Sequence, residues 1–354
     1  MKIAFLAAGD SIHTIRWVNA LAKRGHEVYL LTMHASGEPL HENVFEYILR
    51  YPSPLGYYLN MFHVRRVLNV IKPDLLHAHY ASGYGTLARL SGYKPYLLSV
   101  WGSDVYDFPE ESCIKEYVLR KNLASADRIT STSHCMKVQT EKYIKTQCPI
   151  EVIPFGVDLE IFCPRPNRDS EKITIGMVKQ MAPKYGPEFL LRAFAIINKK
   201  YINSRLVLVG GGPQEEELKR LAHKLGVAEC CQFIGPVPHG EVPKWLNSFD
   251  IYCAPSTLDS ESFGVAVIEA SACGVPVIVS RVGGLPEVVQ DRITGIVVPP
   301  KNDNFLAQAL EDLIINKELR QRMGEAGRKF VEQFYAWESC VDKMEKLYYE
   351  ILSA

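Results

Sequence analysis

Short runs rich in Val, Ile and Leu alternate with amphipathic stretches of about 10 to 16 residues along most of the chain. Runs too short for helices, set between stretches with helical spacing, are the pattern of βαβ units, which require a parallel sheet covered by helices. In the first half, strands are expected at 2–8, 27–33, 74–80, 96–101, 128–132 and 151–154, with a helix over 14–24 that Gly25 closes in a left-handed conformation. Residues 161–172, IFCPRPNRDSEK, are polar, contain two prolines and read as a linker. The pattern then restarts, with strands expected at 173–178, 205–209, 232–234, 251–254, 276–280 and 296–298, and three helical stretches from Asn304, Glu318 and Trp337 end it. The fold class that follows is α/β, with two Rossmann-like doubly wound domains at 1–165 and 166–334 and a terminal helix at 335–354. A chain of 354 residues has the length for two such domains, and two domains predict a cleft with ligands at the carboxyl ends of the strands.

Charge excludes some partners. Forty Lys and Arg balance forty Asp and Glu, so no nucleic-acid partner is expected and any anion site must be local. Residues 1–165 are slightly basic, with 18 Lys or Arg against 16 Asp or Glu, and hold eight of the ten histidines. Nine cysteines without a C-x-x-C pair read as small apolar fillers in a reducing cytoplasm. Met1 leads into KIAFLAAG with no basic leader region or cleavage site, so no signal peptide is expected. The apolar run 265–279 is broken by Glu269, which excludes a spanning helix there but not surface attachment. Arg65, Arg66 and Lys72 share a helical pattern with Met61, Phe62, Val67, Leu68 and Ile71, which suits either an anionic membrane surface or a solvated face over a core stripe. No D-x-D triplet occurs, Asp104 and Asp107 being the nearest pattern, and His77 and His79 in PDLLHAHY are expected on opposite strand faces; no metal site is expected.

The densest chemistry lies in ESFGVAVIEASACGVPVIVS, from Glu261. Residues 265–273 read as a helix closed by Gly274, so the amides of Phe263, Gly264 and Val265 form an anion site without a charged side chain. Glu269 sits inside that apolar helix, where a carboxylate needs donors; a ribose diol and a protein partner both qualify. Glu261 precedes the helix, as a ligand for sugar hydroxyls and developing positive charge or as a surface loop residue. In IGMVKQMAPKYGPEFLLRAF, Lys179 and Lys184 flank the loop leaving the first strand of the second domain, placed for a diphosphate or for solvent. AAGDSIH, from Ala7 to His13, is a strand-to-helix turn with the single Gly9, and GGGP at Gly210 lacks the G-x-G-x-x-G spacing, so a nicotinamide dehydrogenase is not supported.

Taken together these residues resemble the retaining glycosyltransferases of family 4, whose fold is the two-domain GT-B arrangement. ESFGVAVIE matches that family's E-x7-E signature at Glu261 and Glu269, and KRGHEV, PDLLHAH, WGSD, VIPFGVD, LVGGGP, FIGPVP, VGGLPEVV and FYAWES extend the match over essentially the whole chain. The resemblance implies that Glu269 holds the nucleotide ribose and Glu261 the donor sugar. It puts Ser262 and the amides of Phe263, Gly264 and Val265 on sugar and phosphate, and Lys184 and Gly9 on the diphosphate. It also implies a helix from Trp337 that crosses back to the first domain, and no metal or organic cofactor. The implied reaction moves a hexosyl unit from a nucleotide-diphosphate sugar, a UDP-sugar foremost, to a hydroxyl of a glycan or lipid-linked acceptor. Its expected setting is envelope polysaccharide or glycolipid synthesis in the cytoplasm, with peripheral attachment to the membrane face. A GT-B epimerase or phosphorylase and a non-catalytic nucleotide-sugar-binding protein are the competing expectations. Three departures stand out: Lys179-Gln180-Met181 replaces the family's Arg-containing loop, with an extra Tyr185; Trp101 replaces a His, leaving His13 or Asp104 to supply a polar group; and Phe155 replaces an Asn.

Overall fold

The computed structural model describes residues 1–145, 149–165 and 172–353. Half of the expected linker, residues 166–171, and Cys148 lie outside the described residues. The chain forms two compact units, Met1–Phe155 together with Ser339–Ala354, and Gly156–Glu338.

The first unit is built on β1 (Lys2–Leu6), β2 (Glu27–Thr32), β3 (Val44–Ile48), β4 (Leu75–His79), β5 (Tyr96–Val100), β6 (Arg128–Ser131) and β7 (Glu151–Val152). All pair in parallel, in the order β3-β2-β1-β4-β5-β6-β7. Every residue of β4 and β5 is buried, because helices cover both faces of a parallel sheet. β3 was not expected from the sequence: it is an edge strand with four of its five residues exposed, so VFEYI carries no burial pattern to detect. The second unit repeats the design with β8 (Ile173–Val178), β9 (Ser204–Val209), β10 (Cys231–Gly235), β11 (Ile251–Ala254), β12 (Val277–Ser280) and β13 (Gly295–Val298), again all parallel, ordered β10-β9-β8-β11-β12-β13. Each order reverses direction once, between β1 and β4 and between β8 and β11, and such switch points open a crevice at the carboxyl ends of the strands.

The expectation for His77 and His79 is corrected. Residues two apart on a strand share a face, and their rings lie 4.7 Å apart in β4. Both are fully buried: burial pushes the His77 pKa down to about 3 and, with the neighbouring His77 and His13 adding, depresses His79. They are core groups, and among the described residues no cluster of three or more His, Cys, Asp or Glu could hold a metal. One His77 nitrogen meets the Tyr348 hydroxyl at 2.7 Å and the other meets Ser99 Oγ at 2.7 Å, which continues to Thr130. Tyr348 belongs to the terminal helix Trp337–Ser353, whose Asp342 and Glu345 also accept from Arg24, at 2.6 and 2.9 Å. The chain end is therefore part of the first unit's core.

Lys72 is corrected as well. The helix Met61–Ile71 stops before it, and Lys72 turns left-handed at φ 50° as its cap. Arg65 donates to the carbonyls of Leu90 and Ser91 at the end of the Gly83–Ser91 helix, and both Arg65 and Arg66 are exposed.

Candidate active site

In the second unit, the loops leaving β8 and β11 meet across the switch point. Lys179, the first residue after β8, places Nζ 3.1 Å from Glu261 Oε1, and Glu261 is buried. Burial alone would push the Lys179 ammonium down, but the Glu261 carboxylate, with Tyr185 and Glu269 adding, outweighs it and raises the pKa. Lys184, at the other end of the loop, donates to the Ser260 carbonyl at 2.9 Å. The Tyr185 ring lies beneath both cations, 4.7 Å from Lys179 Nζ and 5.7 Å from Lys184 Nζ, close enough for cation–π attraction to each. The extra aromatic residue of this loop thus ties its two lysines together.

The helix that follows β11 is Val265–Ala272, entered through Gly264 at φ 94°. Only glycine takes that conformation freely, and a side chain there would also press on Leu285. The N–H groups of Gly264, Val265 and Ala266 have no hydrogen-bond partner among the described residues, so the helix start offers three donors and the positive end of its dipole. Phe263 and Ser262 are buried beside them. The loop is held from behind by Gly283 and Gly284: the Gly284 amide donates to the Glu261 carbonyl at 3.0 Å and the Gly283 amide to Asp259 Oδ1 at 3.0 Å. Glu269, one turn further along, is buried, and its Oε1 accepts from His239 Nε2 at 3.0 Å. Sequence reasoning passed over His239: a lone imidazole in the loop after β10 belongs to no spacing pattern.

The remaining expected residues lie in the first unit, at its own switch point. His13, the second residue of the helix Ile12–Lys23, stacks on Phe155 with centroids 4.2 Å apart and meets Trp101 edge-on at 6.0 Å. Trp101 in turn contacts Phe155 at 5.2 Å and His79 at 4.2 Å. The two departures Trp101 and Phe155 therefore form one aromatic cluster around His13. Asp104 is corrected: it is fully buried and accepts from the amides of Ala81, Trp101 and Gly102 at 2.7, 3.1 and 2.8 Å. Burial raises its pKa and those amides partly offset the effect, so the carboxylate shapes the WGSD turn rather than facing a ligand. The Gly9 amide donates to Thr32 Oγ1 at 2.9 Å.

Residues 160–330 match the family model described as glycosyl transferases group 1, and residues 2–133 match that described as glycosyl transferase 4-like. A GDP-mannose-dependent alpha-(1-6)-phosphatidylinositol monomannoside mannosyltransferase of Mycobacterium tuberculosis is 32% identical over 273 residues, covering 73% of this chain and 70% of that protein. The chain belongs to the group 1 glycosyltransferases. As a glycosyltransferase it is a hexosyltransferase in enzyme class. An N-acetyl-alpha-D-glucosaminyl L-malate synthase of Bacillus anthracis is 28% identical to this glycosyltransferase over 360 residues, covering 94% of this chain and 91% of that one. Among solved structures, sucrose-phosphate synthase of Thermosynechococcus elongatus superposes with a TM-score of 0.85 at 22% identity, covering 100% of this chain and 99% of that one. Anabaena HepE in complex with UDP gives 0.82 at 18%, covering 98% and 99%. The fold of this glycosyltransferase is GT-B.

Proposed function

We propose that this enzyme transfers a hexosyl unit from a nucleotide-diphosphate sugar to a hydroxyl of a glycan or lipid-linked acceptor, with retention and without a metal. The observation that carries the reading is the set of groups at the second unit's switch point: three open helix-start amides, Lys184, the Lys179–Glu261 pair and the buried Glu269. In this reading the amides and Lys184 take the diphosphate, Glu269 the ribose hydroxyls and Glu261 the donor sugar. The bond from the anomeric carbon to the diphosphate oxygen breaks as negative charge builds opposite these donors. The acceptor oxygen bonds to that carbon on the same face, and its proton passes to the departing phosphate oxygen. His13, held between Phe155 and Trp101, is the polar group assigned to the acceptor side.

Two donors compete. UDP-sugar is the expectation from the sequence, and the relative at 32% identity is named for GDP-mannose. For the acceptor, residues 49–73 contain four Lys or Arg and no Asp or Glu, and Phe62 and Val70 on that stretch are 71% and 77% exposed. Leu55, Tyr58 and Leu59 are exposed beside them. A cationic surface with protruding apolar side chains fits peripheral attachment to the anionic cytoplasmic face of a membrane, where a lipid-linked acceptor is presented. Among the described residues no helix is long and apolar enough to cross that membrane.

Calorimetric titration of UDP, GDP and ADP into the chain, in EDTA, tests the site. One diphosphate is expected to bind, and Glu269→Gln to weaken it by about ten-fold or more, the worth of a hydrogen bond to a charged group. Binding that needs added metal, or is indifferent to Glu269→Gln, overturns the donor-site assignment. Product analysis with labelled sugar then separates transfer from epimerisation, which consumes no acceptor.

A further inference from the structure

We infer that His239 is a positioning residue for nucleotide recognition: it fixes the Glu269 carboxylate in the orientation that accepts a ribose diol. The inference rests on the ribose role proposed above for Glu269. The Glu269 side chain is 6% exposed, in a helix whose other residues are Val, Ala, Ile and Ser. A carboxylate so placed needs donors. Among the described residues His239 alone supplies one, through Nε2 to Oε1 at 3.0 Å, and Oε2 has no partner.

The terminal torsion of a glutamate is soft and broad, so an unrestrained carboxylate samples many planes. One N–H on one oxygen selects a plane, leaving acceptor capacity on both oxygens for two further hydroxyl donors, since each carries two lone-pair sites. The imidazole is itself held. His239 follows Pro238 as the first residue of the turn His239–Glu241, and its ring packs on the buried Phe162 with centroids 5.5 Å apart. Its side chain is 36% exposed against 6% for Glu269, so the imidazole is the more solvent-accessible member of the pair. Ordering the carboxylate before the ligand arrives removes part of the entropic cost of binding.

The test is discrimination against the 2′-deoxy nucleotide, which a merely structural loop contact would not change. UDP and GDP, each with its 2′-deoxy counterpart, are titrated into the full chain as wild type, His239→Leu, His239→Gln, Glu269→Gln and the double variant His239→Leu/Glu269→Gln. Wild type is expected to prefer the ribonucleotide by about ten-fold or more. His239→Leu should lose most of that ratio, and His239→Gln, which keeps an N–H donor, should retain it within about two-fold. The double variant should be no worse than Glu269→Gln alone, because the histidine acts through the glutamate. Should His239→Leu prove unstable, the His239→Gln ratio and a His239→Asn variant decide the point. Discrimination lost in Glu269→Gln but intact in His239→Leu overturns the role of His239 and leaves the ribose assignment standing. Discrimination intact in Glu269→Gln overturns that assignment, and this inference with it.

Discussion

Each lysine of the β8 loop has a distinct setting, which gives them different expected roles. Lys179 balances Glu261 at 3.1 Å, whereas Lys184 donates to the Ser260 carbonyl and lies over the Tyr185 face, at the end of the loop nearer the expected diphosphate. Lys184→Ala is therefore expected to cut turnover about 10²- to 10³-fold, as loss of an oxyanion donor does, with little change in melting temperature. Turnover within a few-fold of wild type, measured with the donor that binds, would remove Lys184 from the chemistry. The sequence marked Glu269 as a charge in an unusual place, inside an apolar helix, whereas Glu261, Lys179 and Lys184 stood out only by flanking that helix and the loop after β8 and by the family signature. That Lys179 faces Glu261, 82 residues away, depends on β8 and β11 being neighbours, and no local spacing encodes that. Asp104, expected as a polar group in place of the His that Trp101 replaces, depends on the tertiary fold in the same way: three amides, one of them from Ala81 after β4, converge on its carboxylate.

At the scale of elements, legibility follows burial. Strands such as β4 and β5 are covered on both faces and stand out as apolar runs, while the exposed β3 has no such mark. The helix Met61–Ile71 lies between these cases: Val64, Leu68 and Ile71 turn inward, and Phe62, Arg66 and Val70 turn out, one helical turn apart. If that outer row meets lipid, wild type should co-sediment with vesicles rich in phosphatidylglycerol and less with phosphatidylcholine. Phe62→Asp should weaken the association at least several-fold and leave nucleotide affinity unchanged. Equal partition of wild type onto both vesicle types, or no effect of Phe62→Asp, would remove the membrane from the reading.

Across the whole molecule, the buried histidines set how stability responds to acid. In the unfolded chain His77 takes up a proton below about pH 6.5, whereas in the folded chain it resists until about pH 3. Its contribution is thus full above the unfolded value and is lost as pH falls, at about 1.4 kcal/mol per pH unit once the unfolded form is protonated. The depressed pKa of Glu345 acts in the same direction at lower pH: burial opposes the shift, but Arg24 and His26 outweigh it. The urea midpoint of the first unit is expected to drop between pH 7.5 and 5.0, and His77→Gln to flatten that drop while lowering the midpoint at pH 7.5. An equal drop in both proteins would mean that His77 does not carry the acid sensitivity.

The joining of Tyr348 to His77 also bears on how the protein is made. A ribosome delivers residues 1–155 first, then all of 156–338, and only then the stretch with the hydroxyl that His77 meets. Throughout that interval the first sheet waits with an unfinished core, while the second has everything it needs to close. The half of the enzyme that is synthesised first is thus the half completed last.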